Sequence, residues 1–186
     1  VPMRDGVNLA TDYYLPEGEG PFPAVLARSV YGRALGAQLS VGFKELGMAF
    51  VVQDTRGRGE SEGGKDMVFG DDGWGERQDG ADTVDWVLQQ PWCNGKVGTW
   101  GMSALGITQV MLAGATPKIA AQSIVVASSS FYGQLAYQGG VFRKALCEGW
   151  TKAQKSDYIL ELWKSHPAYD AFWEGFNAEA RAPKIT

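Results

Sequence analysis

The feature that constrains this chain most is a glycine-flanked serine between a predicted strand and a predicted helix. Residues 96–100 have the pattern of a short strand, and residues 107–113 have the pattern of a buried helix. Between them, Ser103 is flanked by Gly101 and Gly106. A serine on such a tight turn needs small neighbours, because bulky side chains would collide with the bent backbone. The pattern predicts a nucleophile elbow, in which the turn lifts the serine hydroxyl out of a sheet.

The spacing of the second glycine leaves an alternative open at this point. Gly106 lies three residues after Ser103, whereas the usual elbow has a glycine two residues after the serine. An ordinary strand-turn-helix unit with an incidental serine is therefore the alternative. In an elbow, the helix behind the serine would place free N–H groups and its positive dipole end where an oxyanion develops. The rest of the chain decides between the two interpretations.

Predicted strands and helices alternate along the first two thirds of the chain. Continuous apolar runs are typical of strands that are covered on both faces, and amphipathic spacing indicates helices. In chain order, these are a hairpin or edge strand within 1–16, a strand at 24–27, a helix at 35–46, a strand at 48–53, a helix at 79–90 and a strand at 120–127. This order predicts an α/β fold with a mostly parallel sheet and helices on both faces.

Charged and glycine-rich loops follow two of the predicted elements. Residues 54–64 are glycine-rich but contain no phosphate-binding pattern, which argues against a nucleotide site. Asp54 and Arg56 are predicted to form an ion pair that orders this loop. Residues 68–76 are polar and acidic, which predicts a surface loop, and Asp79 is a predicted cap of the next helix.

Tyr31 follows the predicted strand at 24–27. Open α/β sheets bind ligands at the edge where the carboxyl ends of their strands lie. A tyrosine just past a central strand could therefore direct its phenol towards a site at that edge. Packing of the ring on the domain surface is the alternative interpretation.

From residue 128 onward the sequence becomes rich in aromatic residues at helical spacing. The two stripes are Tyr158, Ile159, Leu162 and Trp163, followed by Tyr169, Phe172, Trp173 and Phe176. Such stripes are usually packing faces, so residues 128–186 are predicted to be a helical cap segment laid over the sheet of residues 1–127. The position of this segment after the predicted active-site strand makes Phe131, Tyr132 and Trp150 candidate walls of a substrate pocket.

Charge and cysteine content narrow the functional classes. The formal net charge of −4 argues against nucleic-acid binding, and no apolar run reaches membrane-spanning length. The two cysteines, Cys93 and Cys147, lack metal-ligand spacing and are too few for a disulfide framework. A reducing, cytoplasmic location is therefore favoured, while secretion stays open. No cofactor and no metal site are predicted.

Several ordered motifs together resemble the X-Pro dipeptidyl-peptidase and cocaine-esterase family of α/β-hydrolases. They are Val1-Pro2-Met3-Arg4-Asp5-Gly6-Val7, the Tyr31 loop, Gln53-Asp54-Thr55-Arg56-Gly57, Asp82-Thr83-Val84-Asp85-Trp86, Trp92-Cys93-Asn94-Gly95-Lys96-Val97-Gly98 and Gly101-Met102-Ser103-Ala104-Leu105-Gly106. The resemblance extends from Val1 to about Ala127. It implies an α/β-hydrolase sheet, of which this chain would be the N-terminal part, with a helical cap insertion.

The resemblance also implies roles for three residues. Ser103 stands at the nucleophile of the family's Gly-x-Ser-Tyr-x-Gly elbow, which accounts for the late glycine. Tyr31 matches the tyrosine that donates its hydroxyl to the oxyanion, beside the backbone N–H of Ala104. Two departures are that Ala104 replaces the usual tyrosine and that Val30 replaces a proline, which would loosen the Tyr31 loop.

A serine nucleophile also needs a base and an acid that orients this base. In α/β-hydrolases these residues follow the serine in the order Asp and then His, after later strands. The chain contains a single histidine, His166, in Ser165-His166-Pro167 between the aromatic stripes, where it is predicted to lie at a helix end or on the surface. The acid, the base, the remaining strands and a C-terminal jelly-roll domain are therefore expected beyond Thr186.

The sequence thus predicts the N-terminal part of a serine hydrolase that cleaves a small-molecule ester or amide through an acyl-enzyme on Ser103. This chain alone is expected to be inactive and to need the missing C-terminal portion that carries the acid and the base. The alternative is a non-catalytic fragment or pseudo-hydrolase that serves in binding or assembly.

Overall fold

The computed structural model describes residues 1–64, 69–70 and 72–185. The first eight elements alternate mostly between strands and helices, and the later elements are mainly helical. The first group is β1 (Thr11–Tyr14), β2 (Phe22–Ser29), α1 (Gly36–Glu45), β3 (Ala49–Asp54), α2 (Asp79–Leu88), β4 (Cys93–Met102), α3 (Ala104–Leu112) and β5 (Ile119–Val125). The second group is a π-helix (Phe131–Ala136), β6 (Tyr137–Gln138), β7 (Val141–Phe142), α4 (Lys144–Ala153), α5 (Tyr158–Ser165), α6 (Ala171–Glu174) and a 3₁₀-helix (Ala178–Lys184).

The first five strands form one sheet in the order β1-β3-β2-β4-β5. β2 pairs in parallel with both β3 and β4, β4 pairs in parallel with β5, and β1 is antiparallel to β3 at the edge. All six residues of β3 are buried, as its uninterrupted apolar sequence predicts for a strand covered on both faces. The mostly parallel sheet and the edge strand confirm the predicted order of elements.

Helices cover the two faces of this sheet, and the alternation of side chains along β3 shows how. Phe50 stacks on Phe43 of α1 with ring centroids 4.8 Å apart, on one face. Val51, the next residue, packs with Val84 of α2 in a separate cluster on the other face. Successive strand residues point to opposite faces, so one short strand contributes to both layers of the core.

The prediction that residues 120–127 form a buried strand is correct for the strand and wrong for its burial. β5 pairs only with β4 among the described residues, and most of its residues are exposed. Ile124 and Val125 remain 40% exposed, and Val126 is 84% exposed. Burial depends on the position of a strand in the sheet order, which local sequence does not specify.

The predicted ion pair between Asp54 and Arg56 is also wrong. Arg56 instead donates two hydrogen bonds to the buried carboxylate of Asp79, at 2.9 and 2.7 Å. Asp54 accepts a hydrogen bond of 3.0 Å from Arg33. The chain turns after β3, so the two side chains leave it in different directions. Asp79 therefore does not cap α2, whose N-cap residue is Gln78 and makes no side-chain capping bond.

The prediction of a surface loop at residues 68–76 fails for Phe69, Asp72 and Gly73, which are buried. Val68 and Asp71 lie outside the described residues. Phe69 is 4% exposed, and its ring lies 5.7 Å from that of Phe131. Asp72 is 2% exposed and forms a buried ion pair with Arg28. The polar composition of the segment concealed these two anchoring side chains.

The helices after β5 enclose an aromatic core. Phe131, Trp163 and Trp173 are each at most 1% exposed and belong to one cluster that also contains Ala104 and Ile107 of α3. The two aromatic stripes are thus packing faces, as predicted. The division of the chain at residue 127 stays a prediction. Among the described residues, no helix is both long enough and apolar enough to cross a membrane.

Candidate active site

Ser103 occupies the turn between β4 and α3. Its backbone has φ 55° and ψ −123°, a left-handed conformation that residues other than glycine seldom adopt. The Ser103 N–H donates to the carbonyl of Val125 at 3.0 Å, and the Ser103 carbonyl accepts from the N–H groups of Gly106 and Ile107, both at 2.9 Å. These bonds fix the strained turn, which has the strand-turn-helix geometry of a nucleophile elbow.

Close packing explains both glycines of the elbow. A Cβ atom on Gly101, which has φ 152°, would lie 2.5 Å from the Cβ of Leu105. A Cβ atom on Gly106 would lie 2.8 Å from the Cβ of Ala127 and 3.1 Å from the carbonyl oxygen of Val125. The late glycine is therefore located where α3 meets the chain that leaves β5, and any larger residue would push the helix away.

The Ser103 side chain is exposed, and its hydroxyl has no hydrogen-bond partner within residues 1–64, 69–70 and 72–185. The N–H of Ala104 begins α3 and likewise has no acceptor within these ranges. The first N–H groups of a helix lack partners inside the helix and are available to other acceptors. A nucleophilic oxygen and a backbone donor thus stand on consecutive residues.

Tyr31 lies in the turn after β2, with 47% of its surface exposed. Its N–H donates to the Ser29 hydroxyl at 3.0 Å, and its phenol oxygen accepts a hydrogen bond from Trp150 Nε1 at 3.3 Å. Because the indole uses a lone pair of the phenol oxygen, the phenol proton is free to donate elsewhere. Trp150 belongs to α4 and lines the same cavity as Ser103.

Arg58 fixes the Tyr31 turn, a role that no pattern in the sequence indicated. Its Nε donates to the carbonyl of Val30 at 3.1 Å, while its other nitrogens reach the Ser156 hydroxyl and the Gln154 carbonyl, both at 3.0 Å. Val30 itself is 2% exposed. The Tyr31 turn is therefore attached to the end of α4, while the loosening effect of Val30 stays a prediction.

A cavity of about 90 Å³ opens beside Ser103. Its lining is apolar apart from the serine hydroxyl, one thiol and two indole N–H groups. The lining residues are Phe69, Ser103, Ala104, Ile107, Phe131, Leu135, Leu146, Cys147, Trp150 and Trp163. Of the three candidate pocket residues, Phe131 and Trp150 line the cavity, whereas Tyr132 does not. The Tyr132 hydroxyl donates to the carbonyl of Pro167 at 2.9 Å.

Cys147 is a cavity residue that sequence reasoning did not select. It is 1% exposed, and burial raises the pKa of its thiol to about 11. The thiol therefore stays protonated near neutral pH, and a protonated thiol is a poor nucleophile. Cys147 thus contributes a small apolar surface to the cavity, while Ser103 remains the exposed nucleophile candidate.

His166 ends α5, as the sequence predicts. Its Nδ1 lies 2.6 Å from Asp170 Oδ2, and its ring stacks on Phe172 with centroids 4.3 Å apart. The hydrogen bond from His166 lowers the pKa of the Asp170 carboxyl. Although a histidine-aspartate pair is a familiar catalytic unit, His166 is absent from the cavity lining and makes no hydrogen bond to Ser103 in the described structure.

The parallel sheet and the elbow define the fold as that of an α/β-hydrolase. It is similar to a CocE/NonD family hydrolase from Staphylococcus aureus, with a TM-score of 0.84 and 22% identity over 100% of this chain and 38% of that one. An α-amino acid ester hydrolase has a TM-score of 0.67 at 28% identity, over 100% of this chain and 39% of that one. The sequence profile of the X-Pro dipeptidyl-peptidase (S15) family matches residues 5–157, so the chain belongs to this family.

The cocaine esterase of Rhodococcus sp. (strain MB1 Bresler) is also similar, being 44% identical over 115 residues. This alignment covers 59% of the chain described here and 19% of the esterase. The chain thus spans about a fifth of the length of this relative and about two fifths of the length of the two solved structures.

Proposed function

We propose that this chain is the nucleophile-bearing part of a serine hydrolase that cleaves an ester or amide bond of a small molecule through an acyl-enzyme. The observation that carries the proposal is the left-handed, exposed Ser103 at the start of α3. Keeping a non-glycine residue in that conformation costs stability, on the order of 1–3 kcal/mol. Such strain is typical of active sites, and here it presents the serine hydroxyl beside an apolar cavity.

In the proposed reaction, Ser103 Oγ attacks the acyl carbonyl carbon, and the carbonyl electron pair moves onto oxygen. The Ala104 N–H and the Tyr31 hydroxyl donate to this oxyanion, and Trp150 holds the phenol by donating to its oxygen. Collapse of the tetrahedral intermediate breaks the bond to the leaving alcohol or amine, which receives the proton that the base took from Ser103, and leaves the acyl group on Ser103. Water then attacks the acyl-enzyme in the same way, which releases the acid and restores the serine.

The base that takes the Ser103 proton, together with its carboxylate partner, is proposed to lie in sequence that follows this chain. Two observations support this assignment. The Ser103 hydroxyl has no partner among the described residues, and the single histidine is engaged by Asp170. The longer relatives have ample further sequence for such residues, since the chain spans 19% of cocaine esterase.

A non-catalytic binding or assembly role is the second candidate, and the unpartnered Ser103 hydroxyl is the observation that favours it. The two candidates differ in the reactivity of this serine. An activated serine forms a covalent adduct with a fluorophosphonate, whereas a serine without a base reacts poorly.

The test uses the full-length protein that contains this chain. A fluorophosphonate is expected to label Ser103, as located by mass spectrometry of the digested protein. Ser103→Ala should abolish both labelling and ester turnover, because it removes the attacking oxygen. Ser128→Ala is the control, and it should retain both. Labelling at residues 128–130, or turnover by Ser103→Ala, would contradict the proposal.

A further inference from the structure

Arg58 joins the loop after β3 to two other segments of the molecule. Its backbone is fixed in that loop, because its N–H donates to the Thr55 carbonyl at 3.0 Å and its carbonyl accepts from the Ser61 N–H at 2.9 Å. From this base the guanidinium donates to the carbonyl of Val30 at 3.1 Å and to that of Gln154 at 3.0 Å. The planar guanidinium holds its donors in fixed directions. One side chain therefore sets the distance between the turn after β2 and the end of α4.

The end of α4 is a favourable place for this cation. The helix ends in a Schellman turn, in which the Ser156 N–H donates to the Thr151 carbonyl at 2.8 Å. The left-handed residue of this turn is usually glycine, but here it is Lys155, with φ 53°. Arg58 donates to the Gln154 carbonyl and to the Ser156 hydroxyl, one on each side of that residue. The guanidinium thus stabilises a strained turn at the negative end of the helix dipole.

The last turn of α4 also contacts the tip of the Tyr31 turn. Trp150 lies four residues before Gln154, so the two residues share one face of the helix. Trp150 Nε1 donates to the Tyr31 phenol oxygen at 3.3 Å, while Gln154 is connected through Arg58 to the backbone of Val30. With two points of contact, the turn cannot pivot about either one. The phenol oxygen is therefore held at one position relative to α4.

We infer that Arg58 is a positioning residue for the proposed oxyanion donor. It holds the Tyr31 turn against the end of α4, so that the phenol is already in place when an oxyanion forms on a substrate attacked by Ser103. This inference rests on the proposed hydrolase function and adds a residue to it. A preorganised donor needs no rearrangement during the reaction, and a misplacement of about 1 Å can lower a rate by about 10²-fold. Because Arg58 acts through Tyr31, its removal cannot cost more than removal of the phenol hydroxyl.

The test is a double-mutant cycle in the full-length protein, with phenyl acetate as the substrate. It compares the unmodified protein, Arg58→Met, Tyr31→Phe and the combined variant, below the unfolding temperature of all four. Methionine keeps much of the side-chain length and removes every donor. Arg58→Met should lower kcat by about 10–100-fold, with a smaller change in KM. In the Tyr31→Phe background the same change should lower kcat by less than about twofold, because the donor that Arg58 positions is already absent.

Two further variants accompany the cycle. Arg4→Met is the control, because Arg4 also donates several hydrogen bonds through its guanidinium, but to Asp82. It should change kcat by less than about twofold in either background. Ser156→Ala removes one acceptor of Arg58 and little volume, so it provides a second, milder cycle. It should lower kcat by about 2–5-fold where Tyr31 is present and leave kcat unchanged in Tyr31→Phe.

The outcomes separate this inference from the function on which it rests. No turnover by the unmodified protein, together with no fluorophosphonate labelling of Ser103, would overturn the proposed function. Turnover with an unchanged kcat in Arg58→Met would overturn the role of Arg58 and leave the hydrolase intact. So would an equal loss of kcat in both backgrounds, which indicates a general effect on the structure, or an unchanged kcat in Tyr31→Phe. If Arg58→Met does not fold, the Ser156→Ala cycle decides, and an unchanged or equal kcat loss there would overturn the inference.

Discussion

The loops that follow β2 and β3 are held by buried charged groups, whereas the region around the cavity is held by aromatic rings. In the loops, the side chains of Arg56 and Asp79 are 4% and 1% exposed and form a two-bonded ion pair. Around the cavity, Phe131 stacks against Trp173 and tilts against Trp163. Both regions lie beside the carboxyl ends of the central strands, yet they achieve order in different ways.

The difference shows what each region contributes to the proposed site. Directional hydrogen bonds fix the turns, and Arg58 connects the Tyr31 turn to the end of α4. Ring packing surrounds a cavity in which none of the described lining residues is charged. Charges placed in that lining would attract water and raise the cost of binding an apolar acyl group. The buried charges therefore serve positioning, while the cavity retains apolar walls.

The largest effect is expected where the ion pair of the loops is broken. Asp79→Ala removes two charge-assisted hydrogen bonds from the buried Arg56 guanidinium, which keeps its pair with Asp5. Because hydrogen bonds to charged groups contribute about 1.5–3 kcal/mol each, the free energy of unfolding should fall by about 3–5 kcal/mol. Urea denaturation of the full-length protein, followed by circular dichroism, measures the loss. Asp85→Ala on the same helix is the control, because Asp85 forms an exposed pair with Lys118 and should cost less than about 1 kcal/mol. Equal losses would show that the buried pair does not organise the loops.

The second largest effect is expected on kcat when the Tyr31 hydroxyl, the proposed oxyanion donor, is removed. Tyr31→Phe removes the phenol O–H and preserves the ring, so kcat should fall by about 10²–10³ with a smaller change in KM. Steady-state kinetics of the full-length protein with a phenyl ester measures both constants. Tyr13→Phe on β1 removes a phenol of similar exposure, 49% against 47%, and should leave kcat unchanged. An unchanged kcat in Tyr31→Phe would assign this tyrosine to surface packing.

The smallest effect is a pH dependence that arises in the aromatic region. The folded chain raises the pKa of Cys147 from 9.0 to about 11, so above pH 9 the unfolded chain loses this proton while the folded chain keeps it. The contribution of the Cys147 thiol to the free energy of unfolding is complete below pH 9. It is lost as the pH rises towards 11, and it amounts to on the order of 2 kcal/mol in total. Unfolding free energies measured between pH 8 and 11 should therefore fall less steeply in Cys147→Ala. Cys93→Ala controls for the loss of a sulfur atom, and parallel slopes for all three proteins would contradict the prediction.

Local patterns predicted the elements of this fold better than the partners of its side chains. The elbow at Ser103 and the parallel strands follow from residue types and short spacings, which the sequence displays directly. The partner of Arg56 depends on how the chain turns after β3, and the exposure of Val125 depends on the place of β5 in the sheet.

The contact between Gly106 and Ala127 has a consequence for how elbows are recognised. An α-helix has 3.6 residues per turn, so moving a glycine by one position moves it about 100° around the helix axis. A glycine two residues after the serine and one three residues after it therefore mark different sides of the helix. The spacing reports which flank of the helix touches the neighbouring chain. A family-wide comparison of helix orientation against glycine spacing would thus group these enzymes by architecture, from sequence alone.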